Sequence, residues 1–347
     1  MLFALGSNGS GQLGIGHRED AHNPTPCILP QNFDASTILA FAAGGNHTLI
    51  ASPGLLHAAG DASGSRYPLV RKYTEATETE RFRLSAMSAK LCSATWESST
   101  WVDDMDRVFT CGTGNKGELG QGEGVISFSE PKIIKNFPPS ELDEQIIDLH
   151  GSMSHTAAVL LNGEVYGWGA GRRGQLGEPA KDCWSPRKIE GISFEAYRVV
   201  CGRDFTYVVG APESGNHVVL GSDRFGVSSN APKKLPPWKE VGASWGSIFV
   251  LLQTGELLSW GRNDHGQLCP PGLPQIEQIA VGSEHVVALT VDGKVITWGW
   301  GEHGNCGMPI DEIGDVKGRW NELVVPGIAI TIGAGCATTF ITTKDTS

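Results

Sequence analysis

One glycine frame recurs around the whole chain, and it restricts the fold more than any other feature. It occurs as ALGSNGSGQLG, AAGDASGSRYP, TCGTGNKGELG, GWGAGRRGQLG, VLGSDRFGVSS, SWGRNDHGQLC and TWGWGEHGNCG, led by Gly6, Gly60, Gly112, Gly169, Gly221, Gly261 and Gly299. A second glycine follows five residues later in six of the seven copies, and Ser65 takes that place in the other. The copy GAGRRGQLG, Gly169 to Gly177, also satisfies G-x-G-x-x-G, the pattern of a dinucleotide-binding loop. Such a loop must open a helix, yet Gly177, Pro179 and Pro186 fall where that helix would run. Pyrophosphate loops do not recur on a regular spacing, so the frames read as turns at the ends of repeated strands. The 46 glycines, about twice the usual share, fit many tight turns.

A second motif interleaves with the first, in AAGGNHTLIAS, LCSATWESSTW, HGSMSHTAAVLL, VCGRDFTYVVG, VGASWGSIFVLL, VGSEHVVALTV and IGAGCATTFITT. Each is a small residue, a polar step and a β-branched or apolar run, the composition of a strand. Asn162-Gly163 and Asp292-Gly293 join such runs to EVYGWG and KVITWG, and their positive φ suits a type I′ hairpin turn. Strands apolar on both faces need a sheet on either side. Seven units of about 38 to 57 residues, each with two clear strands and room for two more, predict an all-β fold. The expectation is a seven-bladed β-propeller with four-stranded antiparallel blades, formed by 1–347 as a single domain. Its ring closes if the C-terminal strand, about 332–344, completes the blade begun by residues 2–16.

The pattern G-x-x-H-[ST], followed by W-G-x-N-x-x-G-Q-L-G, is carried by Gly44-Asn46-His47-Thr48, Gly151-His155-Thr156, Gly282-His285, Trp168-Gly169, Trp260-Gly261-Asn263-Gly266-Gln267-Leu268 and Trp298-Gly299. It resembles the repeat of the regulator of chromosome condensation family over essentially the whole chain. The units holding Ser65, Ser93 and Val227 depart from the motif. The resemblance implies a seven-bladed propeller. In size, and in opening directly on MLFALGSNGSGQLGIG, the chain is most similar to a small fungal branch of that family. Members of that branch pair as heterodimers with a small CSL-type metalloprotein that binds zinc or iron. This resemblance implies a non-enzymatic protein-binding role in diphthamide synthesis and Elongator-dependent tRNA wobble-uridine modification, reached through that partner. The alternative it implies is the founding member's activity, guanine-nucleotide exchange on a Ran-like small GTPase. The basic tail and exchange wedge of that member have no recognisable counterpart here.

Between the two glycines of each frame lie four tip residues: SNGS, DASG, TGNK, AGRR, SDRF, RNDH and WGEH. In a ring these converge on one face, so a constant scaffold displays seven different loops. Arg172, Arg173, Arg224, Phe225, His265, Trp300 and His303 are the expected partner-binding residues there, because arginine and aromatic side chains dominate interface energetics. Trp238, Trp245 and Trp320 are further candidates, as loop-flanked tryptophans of an exposed apolar patch. The insertion Arg66 to Phe82 is a second expected contact.

His47, His155 and His285 occupy equivalent places, and Trp96, Phe205, Trp245 and Cys336 align with them in the other units. A slot that accepts bulky apolar groups reads as packing, not as a metal site or a general base. Trp168, Trp260 and Trp298, just before their glycines, read as filler between blades. No catalytic constellation is recognisable, and no cofactor is expected.

The formal charge of -11, with its acidic residues scattered, argues against direct nucleic-acid binding. The eight cysteines include no C-x-x-C pair, so they read as reduced small hydrophobes and not as zinc ligands. The opening residues hold too short an apolar run for a signal peptide, and no run reaches the length of a membrane span. A soluble protein of the cytoplasm, with some nuclear presence, is the expectation.

Overall fold

The computed structural model describes residues 1–62, 80–139 and 145–345. The chain begins with β1 (Leu2–Gly6) and β2 (Ala21–Pro26), which find their remaining partners at its far end. Blade 1 follows as β3 (Ala40–Ala43), β4 (His47–Ser52), β5 (Leu55–Gly60) and β6 (Arg83–Met87). Blade 2 is β7 (Leu91–Ala94), β8 (Ser98–Val102), β9 (Val108–Thr113) and β10 (Ser127–Ile133), and blade 3 is β11 (Ile146–Gly151), β12 (His155–Leu160), β13 (Val165–Gly169) and β14 (Cys183–Lys188). Blade 4 has β15 (Ala196–Cys201), β16 (Phe205–Gly210) and β17 (His217–Gly221), and blade 5 has β18 (Trp238–Ala243), β19 (Ser247–Leu252) and β20 (Leu257–Gly261). Blade 6 is β21 (Ile276–Val281), β22 (His285–Thr290), β23 (Val295–Trp300) and β24 (Asp315–Leu323), and the chain ends with β25 (Ile328–Ala334) and β26 (Thr338–Lys344).

Each blade is an antiparallel meander. Blade 7 has the order β2-β1-β26-β25, so the first and last strands of the chain lie side by side, with Phe3 opposite Ile341 and Leu5 opposite Thr339. The ring of seven is thereby closed without a covalent link. The four-stranded plan is complete in five blades; in blades 4 and 5 turns follow the third strand where the others add a fourth. Most of the expected second contact, residues 66–79, lies outside the described residues, while Phe82 at its end is buried against Phe340.

The doubly apolar strands are the second ones. All six residues of β4, β12, β16, β19 and β22 are buried, because each has a neighbouring blade on either face. Five of the seven inner strands instead carry one extra residue, as between Ile146 and Asp148, Trp238 and Glu240, and Ile276 and Gln278. That bulge re-aims the next side chain towards the following blade. Asp148 accepts from Val199 N at 2.8 Å, Glu240 from Ile279 N at 2.8 Å and Gln278 from Ile332 N at 3.3 Å.

Two recurrent side chains seal the blade interfaces higher up. The indoles of Trp168, Trp260 and Trp298 donate to Glu118 O, Val227 O and Gln267 O of the preceding blade, at 3.1, 2.8 and 2.9 Å. His47, His155 and His285 reach Ser99, Thr206 and Thr339 hydroxyls of the following blade, at 3.0, 3.0 and 2.9 Å. Burial pushes His155 down to about 3 and His285 to about 4, so both are neutral.

The alignment of this histidine slot needs correction. Pairing opposite the leading glycine places Ser98, Phe205, Ser247 and Thr338 in it. Of the residues expected there only Phe205 is correct. Trp96, Trp245 and Cys336 stand two positions earlier, in the turn between the first and second strands.

Candidate functional site

The first and third strands of a meander point the same way, so the turn after the first and the tip after the third emerge on one face. Backbone bonds tie them together: Ser222 N to Asp204 O, Arg262 N to Gly246 O and Trp300 N to Glu284 O, each at 2.9 Å. The tips are moulded by their own repeat. Gln12, Glu118, Gln175 and Gln267 accept from the backbone N–H of Ser10, Lys116, Arg173 and His265. Asn8 and Asn263 accept from Leu13 and Leu268. The recurring Asn and Gln are thus loop formers, which frees the residues between them to vary.

The turns meet around the axis. Gly45 N donates to Trp96 O and Trp96 N to Met153 O; Arg203 N donates to Trp245 O, Trp245 N to Ser283 O and Ser283 N to Gly335 O, at 2.9–3.1 Å. This collar leaves a central channel of about 540 Å³ lined by the inner strands. Trp96 of blade 2 and Trp245 of blade 5 lean across its mouth.

Beside that mouth is a pocket of about 220 Å³ lined by Arg203, Asp204, Arg224, Phe225, Trp245, Arg262, Asp264 and Glu284, among others. Arg203 lies over the Trp245 ring at 5.8 Å, and Arg224 and Arg262 over Phe225 at 5.1 and 5.5 Å. Arg262 is fully engaged. Its Nε and Nη2 hold Asp264 at 2.7 and 2.8 Å, and its Nη1 holds Glu284. Gln267 completes that network with 2.7 Å and 3.1 Å bonds to Glu284 and Asp264. Against the cost of burial, the Arg262 and Gln267 bonds hold Asp264 down at about 2, whereas burial keeps Glu284 above the usual carboxylate range.

Further round the same face Trp300 stands between two histidines, 6.2 Å from His265 and 5.4 Å from His303. His265 bonds Asp315 at 2.9 Å, and His303 bonds Asp20 at 2.8 Å in the next blade. On the other side Arg172 and Arg173 are exposed with Lys116 around a hollow, and Arg172 pairs with Asp182 at 2.8 Å.

The fold therefore brings Arg224, Phe225 and Trp245 into one pocket, with Arg172, Arg173, His265, Trp300 and His303 flanking it. It does not bring in Trp238, which is 2% exposed in the core between blades 4 and 5 and packs edge-on to Tyr197. Trp320 is half-buried against the blade 6 core. An exposed tryptophan patch made of Trp238, Trp245 and Trp320 is thus not formed, because Trp238 opens the inner strand β18 with its indole buried and Trp320 lies on the outer strand β24, half-buried against its own blade. Five of the pocket residues named above escaped the sequence reading: Arg203, Asp204, Arg262, Asp264 and Glu284. Arg203 stands at the turn position that Trp96 and Trp245 hold in their own blades, and a correct slot alignment would have exposed it.

Among the described residues no three His, Cys, Asp or Glu side chains are grouped to hold a metal ion, and no helix is long and apolar enough to cross a membrane. The eight cysteines are free thiols, five of them buried. What the face offers chemically is a set of planar cations held over aromatic rings, suited to docking a surface.

A closed ring of antiparallel blades, with a constant frame inside and its variable residues on one face, defines a repeat propeller. The Regulator of chromosome condensation (RCC1) repeat matches residues 1–51 and 162–209, and again 238–267 and 276–305. An RCC1 repeat-containing protein of Schizosaccharomyces pombe is 33% identical over 282 residues, covering 77% of this chain and 78% of its own. The chain belongs to the RCC1 repeat family. The secretion-regulating guanine nucleotide exchange factor of Mus musculus is 26% identical over 295 residues, and there the match spans only 61% of the relative's length. Among solved structures, human WBSCR16 superposes with a TM-score of 0.82 at 20% identity, over 99% of this chain and 100% of that one. Prp20p of Saccharomyces cerevisiae also gives 0.82 at 20% identity, over 100% and 92%. These two share the fold.

Proposed function

We propose that the protein is a non-enzymatic docking propeller that binds a protein partner through its turn-and-tip face. The observation that carries this is the pocket at the channel mouth, where Arg203, Arg224 and Arg262 lie over Trp245 and Phe225. Arginine and large aromatics at the centre of a face, ringed by polar tips, are the composition of an interface hot spot. The partner we propose is a small CSL-type metalloprotein, on the strength of the resemblance in repeat layout and size to the fungal propellers that form such heterodimers. Through it the chain would serve diphthamide synthesis and Elongator-dependent tRNA wobble-uridine modification, in the cytoplasm and also the nucleus. Co-expression with such a protein, followed by size-exclusion chromatography and metal analysis, tests this. A one-to-one complex carrying the partner's metal is expected, and two separate peaks at micromolar concentration overturn it.

A second reading has its own support. A relative 26% identical over 77% of this chain is described as a guanine nucleotide exchange factor. On that reading the same face would engage a Ran-like small GTPase and loosen its nucleotide. Release of a fluorescent guanine nucleotide from Ran would then accelerate with added propeller, and an unchanged rate removes it.

A further inference from the structure

We propose that Arg203 and Arg224 form a receptor for a carboxylate side chain on an acidic segment of a partner protein. This deepens the docking reading above and rests on it. Three arginines line the pocket, but they are not equivalent. Arg262 is consumed by Asp264 and Glu284, each of which is also held by Gln267. Arg203 and Arg224 are exposed, and among the described residues neither makes an ion pair. Each guanidinium is nevertheless positioned, one over Trp245 and the other over Phe225.

A cation–π contact draws on the charge of a guanidinium and consumes none of its N–H donors. Those donors match a carboxylate with two parallel bonds. The backbone also holds both residues: Arg203 N donates to Trp245 O at 3.0 Å, and Arg224 N donates to Ser222 Oγ at 3.3 Å. Pre-set donors of this kind lose little side-chain freedom on binding.

Charge selects which anion fits. The chain carries a formal charge of -11, so a long polyanion is repelled as a whole. Locally Asp204 lines the same pocket beside the two free arginines. The Arg262, Asp264 and Glu284 group beside it adds a further net negative charge, and this surrounding penalises a doubly charged phosphate more than a single carboxylate. The aromatic floor beneath suits the apolar stem of a glutamate or the residue next to it.

The test uses the full chain and a fluorescein-labelled acidic peptide, Glu-Glu-Phe-Glu-Glu, in an anisotropy titration at low and physiological salt. Saturable binding is expected, weakened at least tenfold in R203Q/R224Q. R203K/R224K, which keeps the charge and loses the fork, should weaken it by several-fold. Asp204→Asn should tighten it by several-fold, a gain that a merely structural role for Asp204 would not produce. All variants are at exposed or half-exposed positions, and circular dichroism checks their fold. Equal peptide binding by parent and R203Q/R224Q overturns the proposal. So does competition by inorganic phosphate or a single-stranded oligonucleotide at the same concentration as unlabelled peptide. Failure of the docking reading looks different: the CSL-type protein would not co-elute, while the peptide titration still reports on the two arginines.

Discussion

Trp96 and Trp245 meet across the ring axis with their centroids 6.0 Å apart and their planes tilted by 47°, although they belong to blades 2 and 5. Each is held by the collar of turn hydrogen bonds, so the pair closes the channel mouth at a fixed height. Tilted aromatic pairs of this kind contribute roughly 0.5–1.5 kcal/mol beyond their buried area. A double-mutant cycle of Trp96→Ala and Trp245→Ala, followed by urea unfolding, should return a coupling in that range. Strict additivity would mean that the two rings merely share a neighbourhood.

The glycine frame separates two costs that are usually mixed. Gly261 sits at φ 116°, and a Cβ there would lie 2.4 Å from Gly246 O; Gly293 has φ 86° with open space around it. Gly293→Ala should therefore lose only the conformational cost, roughly 1 kcal/mol. Gly261→Ala must also displace the backbone of the turn between β18 and β19 and should lose roughly 3 kcal/mol or more. Melting temperatures of the two variants, compared with the parent, decide this.

Ring closure concentrates on Phe340. Its side chain is fully buried, stacked on Phe41 of blade 1 at 5.3 Å and edge-on to Phe82 at 6.3 Å. Phe340→Ala should cost roughly 3–5 kcal/mol, the range for a large aromatic removed from a packed core. Denaturant midpoints measure it; a loss below about 1 kcal/mol would show that the seam between blades 7 and 1 does not depend on the packing of Phe340.

The neutral histidines make stability fall on the acid side. Burial holds His155 at about 3 in the fold, against an unfolded value near 6.5. Its contribution is complete above pH 6.5 and is lost as pH falls, because the unfolded chain takes up the proton first. By pH 4 the loss from this residue alone is roughly 3 kcal/mol. Phe205 fills the equivalent slot of blade 4, so His155→Phe is a substitution the scaffold already tolerates. Unfolding titrations between pH 7 and 4 should show a shallower decline in the variant than in the parent.

Much of this architecture is legible in the sequence because its constraints are local. A glycine at positive φ opposite the start of the second strand cannot be replaced without collision, so the frame survives in every unit. The hairpins are legible in place but not in type: Gly163 and Gly293 take positive φ while Asn162 and Asp292 do not, so the bends are the three-residue loops 161–163 and 291–293 with glycine last, and not the expected type I′ turns. The histidine slot was misaligned by two residues in three blades, and strand physics explains why. A slip of two keeps every side chain on its original face, so alternation of apolar and polar residues cannot detect it. Bulk then misleads, because Trp96 and Trp245 look more like a histidine than Ser98 and Ser247 do. The same slip hid Arg203, whose importance depends on Trp245 arriving from the next blade. Trp238 was misplaced for a different reason: the flanking prolines and lysines resemble a loop, and only the packing of blade 4 against blade 5 shows that the indole points inward.

The pairing of β1 with β26 removes something every linear array possesses, an end unit with one bare side. In an open stack of repeats the outermost member can fray alone, since it sacrifices contacts with a single neighbour. Here each blade, including the one assembled from both extremities of the polypeptide, is flanked twice. The first breach anywhere must surrender two seams at once, which makes partial melting costly and binds the fate of every loop on the recognition face to that of the whole circle.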